Sequence, residues 1–198
     1  MGHSKDSKAE THERIVDRAA RRFREVGLDG IGVADLMKDV GLTVGGFYKH
    51  FESRDDLVAE AVEAMQNGWA PTFAEAEAKG HPSERLFENL VDSYLAVEHR
   101  DAPGQGCLFA ALADDLGRSG KKTRAVATRK LGAAIERLSK VFDDRRAPAA
   151  RAAAIFVYSA LVGAVSLARA TNDEALSREI LTTVAKALKK TMRPKPAA

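Results

Sequence analysis

Cysteine is almost absent from this chain, with Cys107 alone among 198 residues. An intramolecular disulfide and a Cys-rich metal site are therefore excluded, and a reducing compartment is favoured. Proline is also scarce, at six residues, and with 45 % hydrophobic residues the composition is that of an ordinary soluble globular protein. The length suits one substantial core, or a small domain attached to a larger one. A secretory signal is missing: the first fourteen residues, MGHSKDSKAETHER, are polar without an apolar centre and read as a flexible arm. Long hydrophobic runs are nearly missing too. Ala152 to Ala168, AAAIFVYSALVGAVSLA, is seventeen residues without a charge, at the lower limit for a membrane span and rich in alanine, serine and glycine. It reads as a buried or interface helix, which makes the protein cytoplasmic with no membrane partner. No nucleophile stands at catalytic spacing from a base and an orienting group, so no enzyme is expected. His12, His81 and His99 are scattered among polar residues and suggest no metal site. Nothing points to a cofactor.

The charge must be located before it is used. Net charge is +3 and the pI is near 9.0, yet residues 1–55 hold ten basic and ten acidic side chains. The excess lies in the remainder, 21 basic against 18 acidic, much of it near KALKKTMRPKP. Global charge thus lends no support to nucleic-acid binding by the N-terminal part, and any such case rests on placement.

Almost no segment alternates with period 2, whereas many repeat apolar residues at three and four, so the chain is expected to be all-α. Ile15, Ala19, Phe23 and Val26 form one face of a first helix that stops at Gly27. After the turn LDGIG, residues Val33, Leu36, Met37 and Val40 make a short second helix ending at Gly41. Phe47 and Phe51 supply the buried side of a third. Ser53 is placed to N-cap a fourth, whose Asp55 and Asp56 suit its positive end.

Two short helices joined at Gly41-Leu42-Thr43 have the pattern of a helix-turn-helix, in which the second helix enters the major groove and the first braces it. Gly41 permits a positive φ, and Leu42 can fill the angle between the helices. Gly45 and Gly46 each cost a helix about 1 kcal/mol relative to alanine, which close approach of backbone to DNA would offset. Tyr48, Lys49 and His50 then offer a phenol, an ammonium and an imidazole to phosphate oxygens. The alternative is that the two glycines belong to a loop and the aromatics are simply core.

The stretch from Ile15 to Val62, about a quarter of the chain, resembles the N-terminal domain of the TetR family of transcriptional regulators. The helix-1 phenylalanine, the DG turn, the GLT turn, the FYKHF segment and the SRDDL start all fall in register. The resemblance implies a three-helix DNA-binding domain over residues 1–54 and a helical ligand-binding and dimerisation domain over 55–198. It further implies an operator-binding homodimer, double-stranded DNA and a small-molecule effector as partners, and no catalysis. Carried over by residue, the family's DNA contacts fall on Thr43, Val44, Gly45, Gly46, Tyr48, Lys49, His50 and Arg54. Thr43 would cap the recognition helix, while Tyr48 and His50 grip the backbone. Arg54 stands where the family usually has lysine and can bind phosphate through two hydrogen bonds. Gly32 replaces a frequent Thr or Ser cap, and Val44, without a polar group, is left with thymine-methyl contact.

In the remainder, helices are expected near 54–78, 83–99, 107–118, 121–143, 148–170 and 173–192. Leu176, Ile180, Val184, Leu188 and Met192 repeat every four residues and, with the alanine-rich helix before them, would form a four-helix bundle with a symmetry mate. Trp69, Phe73, Phe87, Tyr94, Phe109, Phe156 and Tyr158 are candidates to line an effector pocket, and equally candidates for core. Trp69 and Tyr94 stand out because their polar atoms need partners when buried. GQGCLFAAL delivers Cys107 to a helix start, where the dipole would lower its thiol pKa. The main expectation is a ligand-responsive repressor, and the alternative a thiol-based electrophile or redox sensor acting through Cys107.

Overall fold

A computed structural model describes residues 2–65, 83–142, 148–192 and 194, with side chains from residue 7 onward. Among the described residues there are ten α-helices and no strand. They are α1 (Gly2–Val26), α2 (Val33–Asp39), α3 (Val44–Phe47), α4 (Arg54–Ala64), α5 (Ser83–Tyr94), α6 (Val97–Asp101), α7 (Leu108–Arg118), α8 (Lys121–Phe142), α9 (Pro148–Ala170) and α10 (Glu174–Thr191), with a 3-10 turn at Pro103–Gln105.

The chain divides into two compact units, one of residues 1–66 with 111–129, the other of residues 67–110 with 130–198. This differs from a boundary at residue 54, for a physical reason. Leu57, Val58, Ala59, Ala61 and Val62 are all buried on α4, more than one helix face, so a single neighbour cannot cover them. Besides the N-terminal helices, α4 is met by residues 111–129, where Lys122 and Arg129 pair with Asp56 and Glu63.

In the first unit, Ile15, Val16, Ala19, Ala20 and Phe23 are buried on one face of α1. Val26, expected to join that face, is exposed at the last turn. The N-terminal arm, expected to be flexible, continues α1 back to Gly2. No proline or internal glycine interrupts it, and His12 is held at Glu60 on α4, Nε2 to Oε2 2.6 Å. Gly27 ends α1 with φ +85°, and Gly41 makes the turn after α2 with φ +75°. Gly30 is required by space, since a Cβ there would lie 1.9 Å from the Val26 carbonyl oxygen. Ser53 caps α4 as expected, its Oγ accepting from the Asp56 N–H at 3.2 Å.

In the second unit, the expected helix over 83–99 breaks after Tyr94. The break is stabilised by His99, whose Nδ1 meets the Tyr94 carbonyl at 2.6 Å and so satisfies an acceptor at the end of α5. By length and composition α9 could cross a membrane. Its inner face, including Ala154, Val157, Leu161, Ala164 and Val165, is buried within the unit and packs on α10. Its outer face carries Ile155, Phe156 and Leu167, all exposed. The four-residue repeat of α10 does not stay on one face. Each step of four advances about 40° around a helix, so Leu176 is exposed and Ile180 and Val184 half-buried, whereas Leu188 is buried within its own unit.

Arg100 joins the ends of α6, α9 and α10. Its guanidinium donates to Asp101 (2.7 Å), Glu174 (2.9 Å) and Ser177 Oγ (2.7 Å), and Ser177 Oγ donates in turn to the Ala168 carbonyl at 2.8 Å. Every charge-bearing end of this network is therefore answered by another.

Candidate nucleic-acid interface

The segment after the Gly41 turn is short. α3 spans only Val44–Phe47, and a looser turn continues to Phe51, with His50 N–H donating to the Phe47 carbonyl at 2.9 Å and Phe51 N–H to the same oxygen at 3.0 Å. Two adjacent glycines explain the brevity. Neither is demanded by the fold: a Cβ on Gly45 would come no closer than 4.0 Å to Thr43 Oγ1, and one on Gly46 only to 3.6 Å from Met37 Cε. Both residues have negative φ. Their smallness is thus unused inside the protein and leaves a flat backbone facing outward.

Phe47 and Phe51 anchor this segment, both buried and stacked with ring centroids 5.3 Å apart. The reading of these aromatics as core therefore holds for them, but not for Tyr48. That ring is 69 % exposed and meets Phe47 edge-on at 5.2 Å. Thr43, Val44, Gly45 and Lys49 are also exposed, so five of the eight expected contact residues share one open surface. Thr43 occupies the N-cap position, but its hydroxyl makes no capping hydrogen bond. Gly32, at the N-cap of α2, likewise provides none.

His50 and Arg54 are placed differently. His50 is half-buried with Nδ1 lacking a partner, and its ring lies 5.8 Å from that of His12. Burial, then the charges of His12, Lys8 and Lys49, hold its pKa below the ordinary value, so at neutral pH it offers a hydrogen bond rather than a charge. Arg54 turns inward. Its guanidinium donates to the Leu28 and Ile31 carbonyls and lies 5.7 Å from the centroid of Phe23. It braces the turn between α1 and α2 instead of projecting to the open surface. His12 was not singled out from sequence; it stacks on Phe51 at 4.5 Å while pairing with Glu60. Its place three residues before Ile15 and four before Val16 is the signal that would have put it on the buried face.

Residues 15–61 match the family model of bacterial regulatory proteins, tetR family. This chain belongs to the TetR family. HTH-type transcriptional regulator AcrR of Shigella flexneri is 31 % identical over 102 residues, covering 49 % of this chain and 47 % of its own. The repressor KstR2 of Rhodococcus jostii is 32 % identical over 85 residues, 42 % of each chain. This TetR-family chain therefore spans about half the length of the curated relatives it matches. Over the full fold, a TetR-family regulator from Agrobacterium tumefaciens superposes with a TM-score of 0.77 at 19 % identity, covering 92 % of this chain and 97 % of its own. The reduced form of E. coli NemR gives 0.75 at 18 % identity, covering 91 % and 96 %. These likenesses establish the all-α fold, and the chain is a TetR-family transcriptional regulator with a helix-turn-helix.

The expected effector-pocket residues are divided. Trp69 and Phe73 lie outside the described residues. Phe87 is buried against Phe142 with ring centroids 5.5 Å apart. Tyr94, Cys107, Phe109 and Tyr158 are brought together: Cys107 Sγ meets the Tyr158 hydroxyl at 3.4 Å, and Phe109 meets the Tyr158 ring edge-on at 6.2 Å. Phe156 is separated from them, 57 % exposed on the outer face of α9. Position in the helix decides this, since Tyr158 lies two residues on and so on nearly the opposite side.

Proposed function

We propose that this regulator is a ligand-responsive repressor that binds a palindromic operator as a homodimer in the cytoplasm. The observation that carries the reading is the open surface of Thr43, Val44, Gly45, Tyr48 and Lys49, supported from behind by buried Phe47 and Phe51. DNA contact belongs to residues 1–54, and effector binding and dimerisation to residues 55–198. The backbone at Gly45 and Gly46 lies against the groove wall, Tyr48 and Lys49 donate to phosphates, and Val44 touches a thymine methyl. His50 adds a neutral donor, and Arg54 positions the turn. The paired recognition segments are spaced by about 34 Å, or a multiple of it, to meet successive major grooves. An effector releases DNA only if it binds the DNA-incompetent dimer more tightly than the competent one.

The test is a mobility-shift titration on an operator over a range of salt. Tyr48→Ala is expected to weaken binding about tenfold by removing a hydrogen bond to a charged phosphate. Lys49→Ala is expected to flatten the logarithmic salt slope by about one. Both side chains are exposed, so melting temperature and dimer content should not change. Wild-type affinity and slope in both variants would reject this surface as the interface.

A second reading gives the signal to Cys107. Its thiol is fully buried beside Tyr158, so an adduct on sulfur has no room and must displace that tyrosine and its neighbour Phe109. Operator release by a thiol-reactive compound is then expected from wild type and not from Cys107→Ser. Equal release from both proteins eliminates the cysteine route.

A further inference from the structure

Two buried polar groups of the second unit are left without partners, and they stand in the same cluster. Tyr94 is 2 % exposed, and its hydroxyl makes no hydrogen bond. Arg169, half-buried on α9, donates through Nε to the Arg100 carbonyl at 2.8 Å and through Nη2 to the His99 carbonyl at 2.8 Å, but its Nη1 is buried with no acceptor. His99 joins the two. Its ring packs edge-on against Tyr94 with centroids 4.6 Å apart, its Nδ1 bonds the Tyr94 carbonyl, and its Nε2 accepts the Cys107 N–H at 3.1 Å. The imidazole is therefore a neutral tautomer protonated on Nδ1, in keeping with a pKa lowered by burial.

The contrast with Arg100 is informative. Arg100 is answered by the carboxylates of Asp101 and Glu174, whereas no carboxylate of the described residues pairs with Arg169. Main-chain carbonyls satisfy two of its nitrogens but do not neutralise its charge. A guanidinium withdrawn from water without a counter-ion is costly, and a buried phenol O–H without an acceptor adds to that cost. Both atoms are donors, so what they lack is an acceptor, and the charge of Arg169 makes the fitting acceptor an anion. Arg169 also lines a polar cavity of about 260 Å³ together with Thr171, Asn172 and Ser177, which gives a ligand an approach to it.

We propose that Arg169 and Tyr94 form the anion-binding end of the effector site, and that the effector is a small carboxylate compound whose oxygens accept from Arg169 Nη1 and Tyr94 Oη. The aromatic rings of Phe109 and Tyr158 face its apolar part. Cys107 supplies a soft, uncharged wall and is not needed as a nucleophile. The proposal rests on the reading of this protein as ligand-responsive, but it is tested by binding alone.

The experiment is a thermal-shift and calorimetric titration of the full-length protein with sodium benzoate, with benzyl alcohol as the uncharged analogue of the same shape. Benzoate is expected to raise the melting temperature of wild type, and benzyl alcohol to do so at least about tenfold less effectively. Tyr94→Phe removes only an oxygen that bonds nothing in the protein. It should therefore melt at or above the wild-type temperature without ligand and bind benzoate about tenfold more weakly. Arg169→Lys, which keeps the charge but removes Nη1, should show the same loss and provides a second test if the phenylalanine variant is unstable. No benzoate binding by wild type, equal binding by wild type and Tyr94→Phe, or equal binding of benzoate and benzyl alcohol would each overturn the proposal. Operator affinity measured in parallel without benzoate distinguishes these failures from a failure of the DNA-binding reading, since neither substitution touches Thr43 to Lys49.

Discussion

Ile180→Glu combined with Val184→Glu is expected to leave the protein monomeric at concentrations where wild type is a dimer. The outward side of α9 presents Ala152, Phe156, Ser159, Gly163 and Leu167 at helical spacing, with Phe156 57 % and Leu167 62 % exposed. Leu176, Ile180 and Val184 lie on the accessible part of α10, which packs beside α9. An apolar strip of this length is unusual on a chain that acts alone. A Cβ on Gly163 would meet nothing within the chain, so the bare helix there is free to let a second helix approach closely. Two such helices and their symmetry mates bury one another as a four-helix bundle. Two glutamates in that seam would lose their hydration without gaining partners, at several kcal/mol each, which corresponds to a shift of more than about a thousandfold in dimer dissociation. Light scattering reads the result directly. Operator affinity should fall with it, because the two recognition segments then bind independently. A dimer that persists in the double variant moves the interface to another face.

Phe47→Ala is expected to have the largest effect within the first unit. α3 is only four residues long, too short to persist by its own hydrogen bonds, and it contains two glycines. Its position depends on tertiary anchoring through Phe47, which is buried and in contact with Phe51 and Tyr48. Removing the ring costs about 3–5 kcal/mol, a large share of the stability of an ordinary domain. A fall of about 10 °C in melting temperature and loss of operator binding should follow together. Tyr48→Ala on the neighbouring residue should lose affinity at unchanged melting temperature. If circular dichroism finds the Phe47→Ala and wild-type transitions coincident, the anchoring role assigned to Phe47 is wrong.

Much of the architecture was legible in the residues because its causes are local. Gly27 and Gly41 end their helices with positive φ, Ser53 caps α4, and the starts of α5, α7, α8, α9 and α10 fall within a residue of the periodic pattern. Each of those features depends on groups at most four positions apart. The helix-turn-helix was legible for the same reason, since Leu36, Met37, Phe47 and Phe51 mark their buried faces by spacing alone.

The direction of individual side chains was not legible, because it depends on residues far away in the chain. Arg54 projects inward because the carbonyls of Leu28 and Ile31 arrive 23 or more positions earlier to receive it. His12 fastens the supposedly flexible arm because Glu60, 48 residues on, is opposite. Phe156 and Tyr158 differ by two positions and face nearly opposite ways, a distinction that only packing between α9 and its neighbours makes. The pairing of charges is still less local. By sequence alone the chain determined that it is helical, that it carries a helix-turn-helix and which residues lie on its outward face. Only the tertiary structure decided that Arg100 finds Glu174 across 74 residues while Arg169 finds no counter-ion, because a buried charge is satisfied or left wanting by what folding places around it.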